Sequence, residues 1–192
     1  EIFDDGNYSH AQLKSLIERN LVQEYFLQKD RLEAYQGDIE EIEKLTDEQF
    51  RAKKEIDEAF AEGKNVLLHG VTSSGKTHIY LEKIEDVVAS EKNVLFLLPE
   101  ISLTKQIVQR LEKKYGKQLG FYHQKLTDFE RVEVWRRMKN NDIKILIGTR
   151  NALFLPFQNL GLIVIDEEHD SAYKPREVSP YFNAKDAAQI LA

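Results

Sequence analysis

Eight consecutive residues, Gly70-Val71-Thr72-Ser73-Ser74-Gly75-Lys76-Thr77, match the pattern G-x-x-x-x-G-K-[ST] without a mismatch. The chemistry this spacing serves is phosphate binding. Glycines at both ends let backbone N–H groups turn inward on an anion, and a helix that follows adds the positive end of its dipole. Gly70, Thr72, Ser73, Ser74 and Gly75 line such a cradle, Lys76 neutralises the β and γ phosphates of ATP, and the Thr77 hydroxyl holds Mg2+. The bland alternative is a glycine-rich turn that happens to contain a lysine. It does not explain why the motif follows an apolar run, Asn65-Val-Leu-Leu-His69, and precedes a helical stretch.

A nucleotide site of this kind needs a carboxylate at the end of a buried strand. Leu162-Ile163-Val164-Ile165-Asp166-Glu167-Glu168-His169 supplies one. Asp166 is the candidate for Mg2+, through water, and Glu167 for orienting the attacking water or accepting its proton. Taken alone, the segment also reads as a strand running into an acidic surface loop. Paired with the phosphate loop it points to hydrolysis, since no acceptor pocket of the sort a small-molecule kinase needs is identifiable. The five histidines show no His–His spacing suited to a metal.

These groups must be held by an alternation of strands and helices. A helix is expected from Thr46 to about Glu62, with Thr46 as N-cap and Gln49 at the capping-box position. Short apolar runs follow at Val66–His69, Val94–Leu98, Leu119–His123, Ile143–Ile147 and Leu162–Ile165. Helical stretches lie between them at Thr77–Ser90, Leu103–Tyr115 and Asp128–Lys139. Runs that are apolar throughout imply strands buried on both faces. Their alternation with helices implies an α/β fold with a parallel sheet, whose ligands bind beyond the C-terminal strand ends. Both chemical motifs sit there.

The 192 residues suffice for one domain with a sizeable core and a smaller appendage. At 42% hydrophobic and 31% charged residues, an ordinary globular composition is indicated. No apolar run approaches the roughly 20 residues that span a bilayer, and the first residues lack the basic-then-apolar pattern of a signal peptide. They also lack a Met, as a piece of a longer protein would. The absence of cysteine excludes disulfides and Cys-based zinc sites in this chain and fits a reducing compartment. The net charge of −6 is unevenly spread: residues 1–44 hold 5 Lys/Arg against 11 Asp/Glu, and the rest is neutral. Within the neutral part, Lys105–Lys125 and Arg131–Arg150 are locally basic, as solvated helix faces or as contacts to nucleic acid. Ser9–Asn20 reads as an amphipathic helix and Val22–Leu27 as a strand, one arm of a hairpin, before an acidic linker at 37–44.

Five stretches occur in order that together resemble one family: Thr46-Asp-Glu-Gln49, the phosphate loop, Leu98-Pro-Glu-Ile-Ser-Leu-Thr-Lys-Gln106, Gly148-Thr-Arg-Asn-Ala-Leu-Phe154 and Asp166-Glu-Glu-His-Asp170. The chain resembles the PriA family (primosomal protein N-prime), superfamily 2 helicases that restart stalled replication in bacteria. The resemblance implies a P-loop NTPase (RecA-like) lobe over 45–192, the first of two motor lobes. Residues 1–36 are then the end of a winged-helix domain, with packing or protein contact the expected role for so acidic a piece, and 37–44 the linker. Gln49 corresponds to the glutamine that reads adenine, or remains a capping residue, or both. Ser102, Thr104 and Lys105 fall in a loop that contacts single-stranded DNA. Gly148, Thr149 and Arg150 fall in a second, where Arg150 faces DNA phosphate or an internal carboxylate.

Ser171–Asp186 resembles the aromatic-rich loop that couples DNA binding to hydrolysis; there Tyr173 and Lys174 offer a ring and a charge to DNA, or Tyr173, Tyr181 and Phe182 simply pack on the sheet. Implied cofactors are ATP and Mg2+, with zinc held only by parts of the longer family member. Implied partners are single-stranded and forked DNA, primosome proteins and single-strand-binding protein, with no membrane, in the bacterial cytoplasm at the nucleoid. Ser73 stands where the family usually has Gly, and Lys185 where it usually has Arg. The chain reaches Ala192 before the Ser-Ala-Thr strand that the resemblance inserts between the phosphate-loop strand and the acidic strand. It follows that residues 1–192 alone are expected to bind ATP weakly and to hydrolyse it poorly. Another superfamily 2 translocase, or a non-catalytic nucleotide-sensing or docking module, are the competing readings.

Overall fold

A computed structural model describes residues 45–71, 74–99, 105–174 and 181–191, with only the backbone of Lys105 and Gln106. The chain divides at 33/34, and every described residue lies in the second unit, Ala34–Ala192. The expected winged-helix piece, its hairpin and the linker lie outside the described residues.

The first helix, α1 (Asp47–Ala61), starts where its cap dictates. The Gln49 backbone N–H donates to Thr46 Oγ1 at 3.3 Å and the Thr46 N–H donates to Gln49 Oε1 at 2.9 Å, while Asp47 and Glu48 favour the helix N-terminus. Next come α2 (Lys76–Ala89), β1 (Asn93–Leu97), α3 (Lys105–Tyr115), β2 (Leu119–Tyr122) and α4 (Asp128–Lys139). The chain continues through β3 (Ile145–Gly148), β4 (Leu160–Ile165) and α5 (Ala184–Leu191). A second capping box, Thr127 with Glu130, opens α4. Ion pairs join α1 to α2: Lys53 reaches Glu82 and Asp86, both at 3.1 Å, and Lys83 reaches Asp57.

All strand pairs are parallel, in the order β2-β3-β1-β4. Because side chains alternate along a strand, β1 feeds two cores. Val94, Phe96 and Leu98 pack with Leu81 and Ile84 of α2 and Ile107 and Leu111 of α3. Leu95 and Leu97 pack with Val134 and Met138 of α4 and Ala184 and Ala188 of α5. Helices thus cover both faces, which is why the strands read as unbroken apolar runs.

Asn93, fully buried at the N-terminal end of β1, fastens the opposite end of the sheet from the motifs. Its Nδ2 donates to Asn141 Oδ1 and to the Ile143 carbonyl, both at 2.9 Å, and its Oδ1 accepts from the Asn159 N–H at 3.0 Å.

One expected strand is not formed. Residues 66–69 lie outside the sheet, with Leu67 72% exposed. A strand needs a neighbour for its backbone groups, and β4, which pairs with β1 alone among the described residues, offers its outer edge to no described segment. β4 is accordingly less covered than β1, whose five residues are all buried.

Candidate nucleotide site and strand-end loops

The register aligns the strand ends. Leu97 is level with both Gly148 and Ile165, and Tyr122 with Gly148. The residues that leave β1, β3 and β4, among them Pro99, Thr149 and Asp166, therefore emerge side by side, as the topology requires of a binding edge.

The phosphate loop runs into α2. Gly75 has φ +80 and ψ +18, the left-handed conformation open to glycine, and a Cβ there would lie 2.0 Å from Gln49 Nε2. Glycine is thus needed twice over, for the turn and for the approach of Gln49. Gln49 Oε1 closes the cap of α1, and its amide nitrogen lies against Gly75 of the loop. The Ser74 N–H donates to the Val71 carbonyl at 3.2 Å. Lys76 Nζ donates to the carbonyls of Gly70, at 2.6 Å, and Val71, at 3.1 Å, so its cation is held at the centre of its own loop. Thr77 is half-buried in the first turn of α2. Thr72 and Ser73 lie outside the described residues.

Asp166 follows β4 directly, and its N–H donates to the Leu97 carbonyl at 3.0 Å, which extends the β1–β4 ladder by one residue. Burial raises the Asp166 carboxyl above the ordinary aspartate range, and the Glu167 charge adds to that. The Glu167 backbone N–H and the Lys76 cation act in the opposite sense. Lys76 and Asp166 therefore lie within electrostatic reach of each other. Glu167 is exposed and sits at φ +48, a conformation that a glutamate adopts at a cost.

This donor set fits an Mg-nucleotide. One hydroxyl and one carboxylate from protein, completed by phosphate oxygens and waters, is the coordination Mg2+ takes. Lys76 and the backbone at the start of α2 suit the phosphates.

Sequence reasoning missed Tyr80, one turn into α2. Burial, then Asp166 and Glu167, push its phenol up to about 12, so it faces the acidic pair as a neutral hydroxyl, and its ring meets Phe96 edge-on at 6.1 Å. Four residues after the lysine of a phosphate loop, a tyrosine carries no pattern of its own.

At the second strand-end loop, a Cβ on Gly148 would lie 2.5 Å from Ala152 Cβ and 2.8 Å from the Tyr122 carbonyl. The chain can double back after β3 only because residue 148 is glycine. Thr149 donates its N–H to the Tyr122 carbonyl at 3.0 Å. Two expectations are corrected here. Arg150 is not an outward cation: it is 6% exposed, its guanidinium lies 5.2 Å from the Phe182 ring centre, and no described carboxylate pairs with it. Its Nη1 and the Thr149 Oγ1 are buried without a hydrogen bond among the described residues. Tyr173 is not a stacking platform: at 1% exposure it belongs to the core. Its hydroxyl donates to the Asp166 carbonyl at 2.7 Å, with the Leu97 carbonyl at 3.1 Å. Lys174, next to it, is exposed as expected. The side chains of Ser102, Thr104 and Lys105 lie outside the described residues; Lys105 begins α3.

The chain is similar to known proteins. Residues 46–184 match the family of DEAD/DEAH box helicases. Replication restart protein PriA of Bacillus subtilis is 43% identical over 193 residues, covering 98% of this chain and 24% of that protein. PriA of Haemophilus influenzae is 50% identical over 134 residues, covering 69% of this chain and 18% of that protein. The chain therefore spans about a quarter or less of the length of these curated relatives. A structure of RecG bound to a three-way DNA junction superposes with a TM-score of 0.57 at 23% identity, covering 92% of this chain and 21% of that one, a likeness of fold.

Proposed function

Because the chain belongs to the DEAD/DEAH box helicase family, we propose that it is the ATP-binding first motor lobe of a 3′-to-5′ DNA helicase that acts in replication restart. The observation that carries this reading is the phosphate loop, with Lys76 opening α2 and its ammonium held at the Gly70 and Val71 carbonyls, in a chain whose Asp166 directly follows β4.

In this reading Lys76 leaves the carbonyls of Gly70 and Val71 for the β and γ phosphates, which exchanges neutral acceptors for charged ones. The backbone N–H groups ahead of α2 hold the remaining phosphate oxygens. Thr77 and Asp166 hold Mg2+, which, when bound, offsets charge building up on the phosphates. Glu167, exposed to water, aligns the nucleophile and takes its proton. The new bond is from water oxygen to the γ phosphorus; the bond from that phosphorus to the bridging oxygen breaks, and ADP leaves. The role proposed for the Gln49 amide, which lies against Gly75, is to read the base.

Single-stranded and forked DNA are the proposed substrates, met by the loops at 99–106 and 148–149 and by Lys174. Primosome proteins and single-strand-binding protein are the proposed partners, and zinc belongs to other parts of the longer protein. The support for these is the resemblance, at 43% and 50% identity, to proteins named for replication restart. The test is ATP hydrolysis and unwinding of a forked duplex by the full-length protein, with and without single-stranded DNA. DNA-stimulated hydrolysis and 3′-to-5′ unwinding are expected. Nucleotide binding without either would leave the sensing module as the better reading.

A further inference from the structure

Glu168 lies one residue beyond the pair assigned to hydrolysis, and its carboxylate is 2.8 Å from Lys185 Nζ. Lys185 stands in the first turn of α5, where a cation opposes the helix dipole. The helix itself therefore gives no reason for a lysine at that position. Three residues earlier, the Phe182 ring meets Phe154 edge-on at 5.0 Å and lies beneath the Arg150 guanidinium. One short stretch, 182–185, thus touches the acidic turn on one side and the loop after β3 on the other. The turn it touches is strained, with Glu167 at φ +48, and a strained residue keeps its conformation only where its flanks are fixed. Tyr173 fixes one flank through the Asp166 carbonyl.

We propose that Lys185 is a positioning residue for hydrolysis: through Glu168 it fixes the second flank of the acidic turn, and through Phe182 it ties that turn to the position of the 150–154 loop. The inference rests on the hydrolytic reading above. Both side chains of the pair are about 40% exposed (40% and 39%), so the ion pair contributes little to stability. Its effect belongs to the alignment of Asp166 and Glu167, where small misplacements cost rate.

The test uses the full-length protein and four variants: Lys185→Ala, Lys185→Arg, Glu168→Lys and the double exchange Glu168→Lys/Lys185→Glu. The readouts are kcat and KM for ATP with saturating single-stranded DNA, and Tm. For Lys185→Ala and Glu168→Lys, kcat is expected to fall about tenfold with KM within about twofold, and Tm to stay within about 3 °C. Lys185→Arg keeps the charge and retains the rate, and the double exchange recovers much of it. An unchanged kcat in Lys185→Ala, or no recovery in the double exchange, overturns the proposal while wild-type hydrolysis stands. A wild type without hydrolysis removes the hydrolytic reading and this inference together.

Discussion

The Tyr173 hydroxyl donates to the carbonyl of Asp166, the residue that directly follows β4. A core side chain thereby fixes the backbone from which the proposed Mg2+ ligand projects. Tyr173→Phe keeps the ring and its packing but leaves the part-buried carbonyl with one donor fewer, a loss of about 1–3 kcal/mol. Thermal denaturation of the 192-residue chain is expected to show the lower Tm, and the full-length variant a lower kcat with near-normal ATP affinity. An unaltered Tm would mean that water donates to the Asp166 carbonyl in place of the hydroxyl.

Lys76→Ala removes the cation from the phosphate loop. Charge-assisted bonds of this kind contribute about 1.5–3 kcal/mol, so Kd for a fluorescent ATP analogue should rise roughly 10- to 100-fold. Fold stability should hardly change, because the Gly70 and Val71 carbonyls lie near solvent. Equal affinity in wild type and variant would refute the phosphate assignment.

Asp166 carries a pH signature whose sign is fixed. Burial, then Glu167, raises its carboxyl, so the folded chain holds a proton that the unfolded chain has lost. Stability therefore falls as pH rises from the ordinary aspartate value, about 3.9, through the raised folded one. Asp166→Asn relieves that cost: its Tm should exceed that of wild type near neutral pH and converge with it in acid, while Mg2+-dependent hydrolysis is lost. A neutral-pH Tm below wild type would show that Asp166 makes a stabilising contact beyond those described.

Lys174 and Arg150 separate two kinds of cation. Lys174 is exposed and is the cation proposed to meet phosphate, and Lys174→Ala should lower the slope of log K against log salt for single-stranded DNA by about 0.7. Buried Arg150, stacked on Phe182, belongs to the fold. Arg150→Ala should leave the slope unchanged and lower Tm. Salt titrations of the two full-length variants decide between them, and a reduced slope for Arg150→Ala would return that residue to the DNA surface.

Asn93→Ala removes three hydrogen bonds at the far end of the sheet. Each buried group left unpaired costs about 1–3 kcal/mol, so urea denaturation should show a large loss of stability, with ATP affinity of the remaining folded protein unchanged.

Much of this arrangement was legible in the sequence because local rules and global demands agree. Thr46 with Gln49 announces its helix, and four of the five apolar runs form β1–β4. The helix at 128–139 has the bounds expected of it. Pairing of the phosphate loop with Asp166 follows from strand-end chemistry. The exceptions share a cause: they depend on neighbours remote in sequence. Whether 66–69 joins a sheet is decided by what lies beside it, not by its own apolar residues. Arg150 and Tyr173 are residue types that suit DNA, yet each is buried by something arriving from elsewhere, Phe182 over Arg150 and the Leu97–Asp166 turn over Tyr173. Tyr80 is visible only once α2 is laid against β4.

The outer edge of β4 gives this chain a colloidal character as well as a chemical one. A run of strand backbone whose outer side no described strand covers, together with the exposed Val66 and Leu67 nearby in the motif order, is a template for edge-to-edge pairing between molecules. Left unpaired, such an edge would favour concentration-dependent association, and a segment adding a strand along β4 would relieve it.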